Sequence, residues 1–401
     1  MNRRFPMRQV AATGEVQGGR QRSPHMTEGR VVPYLRVANV FDGYIDFSNV
    51  NLMAFKPREI ESFRLKSGDI LLNEGQSIEL VGRCAMYTTG PEDCCFQNTL
   101  IRYRAGPETD AEFALQLFRY CREIGVFSRI AVKTNSIAHL GVSRFAELEL
   151  PFPSLPEQRR IAEILRTWDE ATEKLEGLRA AKRTHLAGLT HRLLGVAGAF
   201  PDRWQQAPLS AISTRIRREN GGGEHPVMTI SAKSGFRLQS DKFSRDMAGS
   251  SVDRYIELHE GEFAYNKGNS LTAPYGCIFP LNRPTALVPF VYFCFSLNPG
   301  FNREFFAHLF SAGALNHQLS RLINSGVRND GLLNLNPADF FGCKVPIPTD
   351  AEQRAIASAL TSAKQEIRLL EKQIEGVVNQ KRGLMQKLLT GEWRVNAGRD
   401  Q

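Results

Sequence analysis

The side chains of this sequence that could do chemistry are hydrogen-bonding and basic ones, not nucleophiles or metal ligands. The seven cysteines include no Cys-x-x-Cys pair, and Cys94 and Cys95 are adjacent, which suits neither zinc nor a disulfide framework. They read as reduced thiols. The eight histidines are scattered, none paired with another at i+3 or i+4. His139, His259 and His317 therefore read as surface or satisfied residues. There is no P-loop and no Gly-x-Ser-x-Gly elbow. No catalytic constellation, metal set or cofactor motif is present, so the expectation is a chain without enzymatic activity of its own.

Two Asn-Pro steps come nearest to a catalytic motif. Asn298-Pro299-Gly300-Phe301 and, more faintly, Asn336-Pro337-Ala338-Asp339-Phe340 approach the Asn-Pro-Pro-Tyr/Phe loop that grips a target amine in amino-methyltransferases. Both lack the second proline, and no Gly-rich strand-turn-helix for S-adenosylmethionine accompanies them. Both read as turns.

Binding is better represented. Arg20, Arg22 and Ser23 stand in a Gly- and Arg-rich stretch that reads as a flexible basic loop. Arg36 and Asn39 flank a predicted strand, Asn73 and Gln76 follow the turn at Gly68-Asp69, and Gln97, Asn98 and Thr99 form a polar triplet. Farther on stand Lys233, Ser234, Asn266, Lys267, Asn269, Ser270, Arg328 and Asn329. Arg, Lys, Asn and Gln are the side chains that read guanine and adenine edges in the major groove. Most such residues in any protein are simply solvated, and most of those that touch DNA touch phosphate.

What positions these residues is a repeat. Residues 151–194 recur as 346–389 at one ungapped offset of 195, with Pro153 on Pro348, Glu157 on Glu352, Gln158 on Gln353, Ile161 on Ile356 and Leu194 on Leu389. Steps of four and three run through Ile161, Leu165, Trp168, Thr172, Leu175, Arg179, Lys182, Leu186, Leu189 and Leu193. The same steps run through Ile356, Leu360, Ala363, Ile367, Leu370, Ile374, Val377, Lys381, Leu384 and Leu388. This is the a/d seam of a coiled coil. Each copy predicts a helix of roughly 35–40 residues, about 55–60 Å long. Asp350 or Ser154 could supply an entry cap. Arg179 and Lys182, in the polar middle of the first seam, either lay their stems on apolar surface or pair with Glu366, Glu371 or Glu375.

Before each copy lies a stretch of α+β texture. Strands are expected at 34–37, 70–73, 82–87 and 99–103. A return strand is expected at 44–47 after the Asp42-Gly43 turn, with a helix at 111–124 and an extended run at 145–152. Residues 256–266 echo 63–73, each with a Leu-x-x-Gly followed by an acid (Asp69, Glu262). Strands at 227–230 and 276–279 and a helix at 301–310 complete the second stretch. The expected order is therefore globular domain 1–150, helix 151–197, globular domain 198–345, helix 346–391 and a tail 392–401. Joined repeats of this kind mimic a two-fold dimer while breaking its symmetry.

At 401 residues the chain can bury two or three cores. A formal charge of +9 and a pI of about 9.3 point to a polyanionic partner, nucleic acid first and an acidic protein surface second. No stretch of about 18 apolar residues and no signal peptide is visible, so a soluble, cytoplasmic protein without membrane association is expected.

Taken together, the motifs resemble those of the specificity subunit of type I restriction-modification systems, over nearly the whole chain. The marks are Pro-x-Pro-x-x-x-Glu-Gln-x-x-Ile-Ala at each helix start (Pro151 to Ala162, Pro346 to Ala357) and Leu-x-x-Gly-Asp/Glu in each domain. Ala264-Tyr265-Asn266-Lys267, the opening Pro33 to Val40 and the close Gln380 to Gly391 belong with them. The resemblance implies an α+β fold in which two target recognition domains alternate with two helices packed as an antiparallel coiled coil. It implies double-stranded DNA as ligand, one half of a split site per domain. It also implies two methyltransferase (modification) subunits and the restriction/translocase subunits as partners, with no catalysis by the chain itself. One departure stands out: the first domain lacks the Trp-led segment that Trp204 opens in the second. The alternatives are a coiled-coil scaffold with two protein-binding heads and, third, an unrelated DNA-modifying enzyme.

Overall fold

The structure, a computed structural model, describes residues 5–21, 28–134, 137–195, 200–240, 254–268, 272–323 and 332–395. It divides into two compact units, one of residues 1–176 and 372–401, the other of residues 177–371. The two long helices, Leu155–Leu194 and Asp350–Leu389, each contribute residues to both units.

In the first unit a four-stranded antiparallel sheet runs in the order Gly14–Gly18, Leu100–Ala105, Asp69–Asn73, Cys84–Tyr87. In the second unit the order is Ser213–Ile216, Phe293–Leu297, Phe263–Asn266, Cys277–Pro280, also antiparallel. The two sheets share one topology, and each is backed by one amphipathic helix, Ala111–Glu123 or Arg303–Ser311. A short ladder closes each unit, Met7–Gln9 on Glu149–Pro151 and Gln205–Pro208 on Lys344–Ile347.

The Leu-x-x-Gly-acid motif is a turn staple. Gly68 (φ 90°) and Gly261 (φ 87°) sit in the left-handed region, where a side chain would be strained. The acid that follows folds back on the turn: Lys66 N donates to Asp69 Oδ2 (2.7 Å), and His259 N to Glu262 Oε2 (2.7 Å). Each acid also takes a guanidinium, Arg104 on Asp69 (2.7 Å) and Arg218 on Glu262 (3.1 Å).

The helix seam is where the heptads place it. Ile161, Leu165, Ile356, Leu360, Ile367, Leu370, Ile374 and Leu388 are buried, and Trp168, Leu175, Leu186, Leu189, Leu193, Val377 and Leu384 are half-buried. Each fully buried Leu or Ile contributes about 1.5–3 kcal/mol. In the first unit Asp169 faces Lys381 (2.6 Å) and Glu157 faces Arg394 (2.8 Å), so the helices run antiparallel there. In the second unit Lys182 pairs with Glu366 (2.7 Å), one of the two readings of that lysine, while the partner of Glu371 is Arg183 (2.5 Å).

Four expectations are corrected. The return strand is Asn51–Phe55, not 44–47, because Asn39 ties up the intervening loop through the carbonyls of Asp46 and Asn49 (both 3.0 Å). The run 145–152 begins inside a short helix, Val142–Glu147, and only Glu149–Pro151 is extended. The second long helix is capped by Thr349, whose hydroxyl accepts from Glu352 N (3.3 Å) while Glu352 Oε2 accepts from Thr349 N (3.0 Å). That reciprocal capping box leaves Asp350 to pair one turn on with Arg354. Finally, Phe5 occupies in the first unit the place that Trp204 has in the second. Both are buried just before the closing ladder, Phe5 under the Arg394 guanidinium (4.8 Å) and Trp204 beside that of Arg203 (5.7 Å). No helix among the described residues is long and apolar enough to cross a membrane.

Candidate nucleic-acid interface

The Glu-Gln pair that opens each helix fixes the head above it. Gln158 is fully buried; its Nε2 donates to Pro153 O (2.9 Å) and Glu108 O (3.2 Å), and its Oε1 accepts from Asp110 N (2.9 Å). Asp110 is the N-cap of Ala111–Glu123, accepting from Phe113 N (2.9 Å). Gln353 repeats the arrangement, donating to Pro348 O (2.9 Å) and accepting from Asn302 N (2.8 Å). Asn302 in turn caps Arg303–Ser311 through Phe305 N (2.9 Å). The motif thus orients the sheet-backing helix of each unit, and with it the polar loops at the sheet ends.

In the first unit three turns and a hairpin converge. Val37 N donates to Thr99 Oγ1 (3.3 Å), Gln97 N to Leu35 O (2.9 Å), Glu74 N to Thr99 O (2.9 Å) and Leu140 N to Glu74 O (2.8 Å), while Gln76 pairs with Ala138. Arg36, Gln76, Gln97 and Asn98 are thereby brought onto one polar rim, with Asn98 exposed and the other three half-buried. Arg36 Nε is buried and finds no partner among the described residues. Lys133, exposed in the adjoining hairpin Val132–Thr134, adds charge that the sequence reading missed.

Three residues of the sequence set are consumed by the fold. Arg20 is not in a free loop: it is buried, its Nε meets Glu59 (2.9 Å), its guanidinium lies 4.6 Å from the Phe55 ring centroid, and it bonds the Ala54 carbonyl. Asn39 is the loop staple described above. Asn73 is fully buried and reaches Val40 O (3.4 Å). Arg22, Ser23, Asn269, Ser270, Arg328 and Asn329 lie outside the described residues.

In the second unit Asn266 serves its own turn, donating to Ile230 O (3.0 Å) and accepting from Gly268 N (2.9 Å). Lys267 places its ammonium 5.4 Å from the Phe293 ring centroid, and Arg215 its guanidinium 5.9 Å from the same ring. Burial pulls the Arg215 pKa down, and neighbouring Arg217 pulls it further. Mutually repelling cations on an aromatic base suit a polyanion. The sequence signal for Arg215 and Arg217 is the basic alternation Thr214-Arg215-Ile216-Arg217, on and just after the edge strand Ser213–Ile216. Lys233 and Ser234 form the exposed tip between Met228–Ser231 and Gly235–Leu238, where Ser234 Oγ accepts from Arg237 Nε (2.6 Å).

Catalytic readings find no foothold in either Asn-Pro step. Asn336 caps a short helix through Asp339 N (2.9 Å) with Pro337 in its first turn, and Asn298 accepts from Thr214 Oγ1 (2.9 Å). His139 meets Glu74, His259 meets Glu257, and His317 meets Arg321. Among the described residues no cluster of His, Cys, Asp or Glu could hold a metal ion. Six of the seven cysteines are buried, and burial raises the thiol pKa of Cys84, Cys94, Cys95 and Cys121 to about 12.

Comparison with known proteins gives this arrangement relatives. Residues 16–181 match the family described as the type I restriction modification DNA specificity domain. Over 380 residues the chain is 23% identical to the MjaX type I restriction enzyme specificity subunit of Methanocaldococcus jannaschii, covering 90% of this chain and 87% of that one. It is 22% identical to the MjaVIII specificity subunit of the same organism, covering 67% and 68%. The S subunit of a type I restriction-modification system from M. genitalium has a similar fold, with TM-score 0.54, 17% identity and 96% of both chains covered. So does a chain solved in work on complex assembly and conformational transition of the type I R-M system, with TM-score 0.59, 15% identity and coverage of 97% and 98%.

Proposed function

We propose that this chain is a specificity subunit of the type I restriction-modification family and that it reads a split DNA site, one half per head. The heads are residues 1–150 and 198–345, the spacers 151–197 and 346–391, and the tail 392–401. The observation that carries the reading is the duplicated head: one sheet order and one cap-to-glutamine link, built twice on head sequences that share little beyond the Leu-x-x-Gly-acid turn. Equal frames with unequal loops are what two readers of unequal half-sites require. Phosphate contacts hold such a reader in register, and side chains on its loops choose bases. Arg36, Gln76, Gln97, Asn98 and Lys133 are the proposed contacts of the first head, and Arg215, Arg217 and Lys267 those of the second.

In this reading the chain is a non-catalytic partner. Modification subunits supply the methyl transfer and restriction/translocase subunits supply cutting, both assembled on the chain. The work from which one structural relative comes concerns such an assembly. The test is an exchange: residues 1–150 are replaced by the first head of a relative, and methylated sites are read from cells carrying the hybrid with its partner subunits. One half of the site should change and the other persist. Joint change of both halves would overturn the two-reader proposal. The purified chain alone should show no methyl transfer from S-adenosylmethionine.

A further inference from the structure

The repeat brings two equivalent positions to the same place in each unit and fills them with opposite charge. On the offset of 195, Asp169 corresponds to Lys364 and Lys381 to Leu186. Counting from the helix caps, Asp110 and Asn302, Gln116 corresponds to His308.

In the first unit this position is neutralised from within. The buried Lys381 ammonium lies on Asp169 (2.6 Å) and on Gln116 Oε1 (3.3 Å). Asp169 also takes Gln116 Nε2 (2.8 Å) and Arg119 (3.5 Å), and Asp42 serves Arg119 (3.5 Å) and Arg122 (2.6 Å). Among the described residues of the second unit no carboxylate replaces them. Lys364, half-buried, has no ion pair or hydrogen bond among the described residues, and neither has Arg368 one turn on. Leu186 stands where a countercharge would be, and His308 is engaged by Thr361 Oγ1 (2.8 Å). Arg183 is occupied by Glu371 (2.5 Å). Beside Lys364 opens a cavity of about 440 Å³ walled by Leu186, Leu360 and Ala312 on its apolar side and by Arg183, Thr190 and His191 on its polar side. It shares Lys364, His308 and Ser311 with a groove of about 740 Å³ that also carries Arg368, Lys233 and a single acid, Glu304, which is not within ion-pair distance of any of these cations.

A half-buried cation without a countercharge, beside apolar side chains and other basic ones, is costly unless a partner provides one. We propose that the Lys364 cavity receives a carboxylate side chain, flanked by apolar residues, from a segment of a partner protein. A duplex phosphate is the less favourable occupant, because its neighbours along the backbone are charged and would face Leu186 and Leu360. The proposal rests on the assembly reading above and takes the partner to be a modification subunit. It makes the two docking surfaces unequal: among the described residues the second unit lacks an acid that the first already contains.

The test titrates the purified modification subunit into the full-length chain, with stoichiometry by native mass spectrometry and affinity by interferometry. Lys364→Glu reverses the charge, Leu186→Glu supplies the acid internally, and Lys364→Met removes the charge while keeping bulk in case the other two misfold. Each folded variant should bind one modification chain at least roughly tenfold more weakly and the other unchanged. Unchanged affinity at both positions in Lys364→Met overturns the proposal while leaving the assembly reading standing. Intact modification-chain binding with weakened duplex affinity also overturns it, in favour of phosphate. Failure of the wild-type chain to bind any modification subunit would sink the assembly reading and this inference together.

Discussion

Gln158 offers the sharpest test of how the heads are held. It is fully buried and makes three hydrogen bonds, two to carbonyls and one from the Asp110 N–H. Truncation to Ala leaves all three partners without it. At about 1–3 kcal/mol per stranded buried group, with carbonyls more tolerant than an N–H, the loss should be about 3–5 kcal/mol. Gln158→Met fills the volume and removes only the bonds, so it should cost about 2–4 kcal/mol. Gln158→Glu turns a carboxylate oxygen toward two carbonyls and should be the worst of the three. Gln353 makes two such bonds, so Gln353→Met should cost about 1 kcal/mol less than Gln158→Met. Urea unfolding followed by circular dichroism is the assay, and a cost of this size should lower the midpoint by roughly 1 M. A Gln158→Met variant within about 0.5 kcal/mol of wild type would refute the argument that this motif is a buried polar joint.

Other consequences follow from charge. Asp169→Ala strands the Lys381 ammonium and should cost about 2–4 kcal/mol at neutral pH, discounted because the Asp169 side chain is 35% exposed. Burial already holds the Lys381 pKa below 10.5, and without Asp169 it falls further; the unfolded chain then binds the extra proton, so the variant's stability should climb as pH rises toward 10.5 in thermal melts. The Thr349 N–H, then Arg203 and Trp204, hold the Glu352 pKa down at about 2. Stability from this carboxylate is therefore full above the ordinary 4.5 and lost as pH falls through about 2, so melts of Glu352→Gln should show a flatter acid limb than wild type. On DNA, Gln97→Ala and Asn98→Ala should weaken or relax recognition in the assembled complex by about 1–3 kcal/mol without changing the melting temperature. Asn73→Ala should do the reverse, and equal effects of the two classes on both readouts would contradict the proposed rim.

The helices were legible because periodicity reports packing directly. A residue at a or d faces the partner helix, and the seam from Ile161 to Leu388 is buried or half-buried along its length, down to the buried Lys381. The loops were not legible in the same way. Asn39, Asn73 and Arg20 have the side chains that read bases, but Asn39 bonds its own loop while Asn73 and Arg20 are taken by Val40, Ala54 and Glu59, more than 30 residues away in sequence, and such distant partners leave no local signal. Arg36 and Asn98 are the same types a few residues away, left outward because their own backbone groups already bridge the turns. The position of Lys364 is legible, since aligning the repeat sets a lysine against Asp169, but which of the two finds a partner is decided by packing.

The repeated glutamate shows why the helix starts stayed alike while the heads diverged. Glu157 is satisfied by Arg394 (2.8 Å) and Val395 N (3.2 Å), from the segment that follows the second helix. Glu352 is satisfied by Arg203 (3.0 Å) and Trp204 Nε1 (3.3 Å), from the segment that follows the first. Each helix start is therefore held by the chain leaving the other helix, with Phe5 or Trp204 packed beneath the guanidinium concerned. A change at either glutamate would release two parts of the chain at once. A change in a sheet-end loop disturbs only the turn it sits in. Selection on DNA sequence can act on the loops because the joints that carry them do not depend on what the loops say.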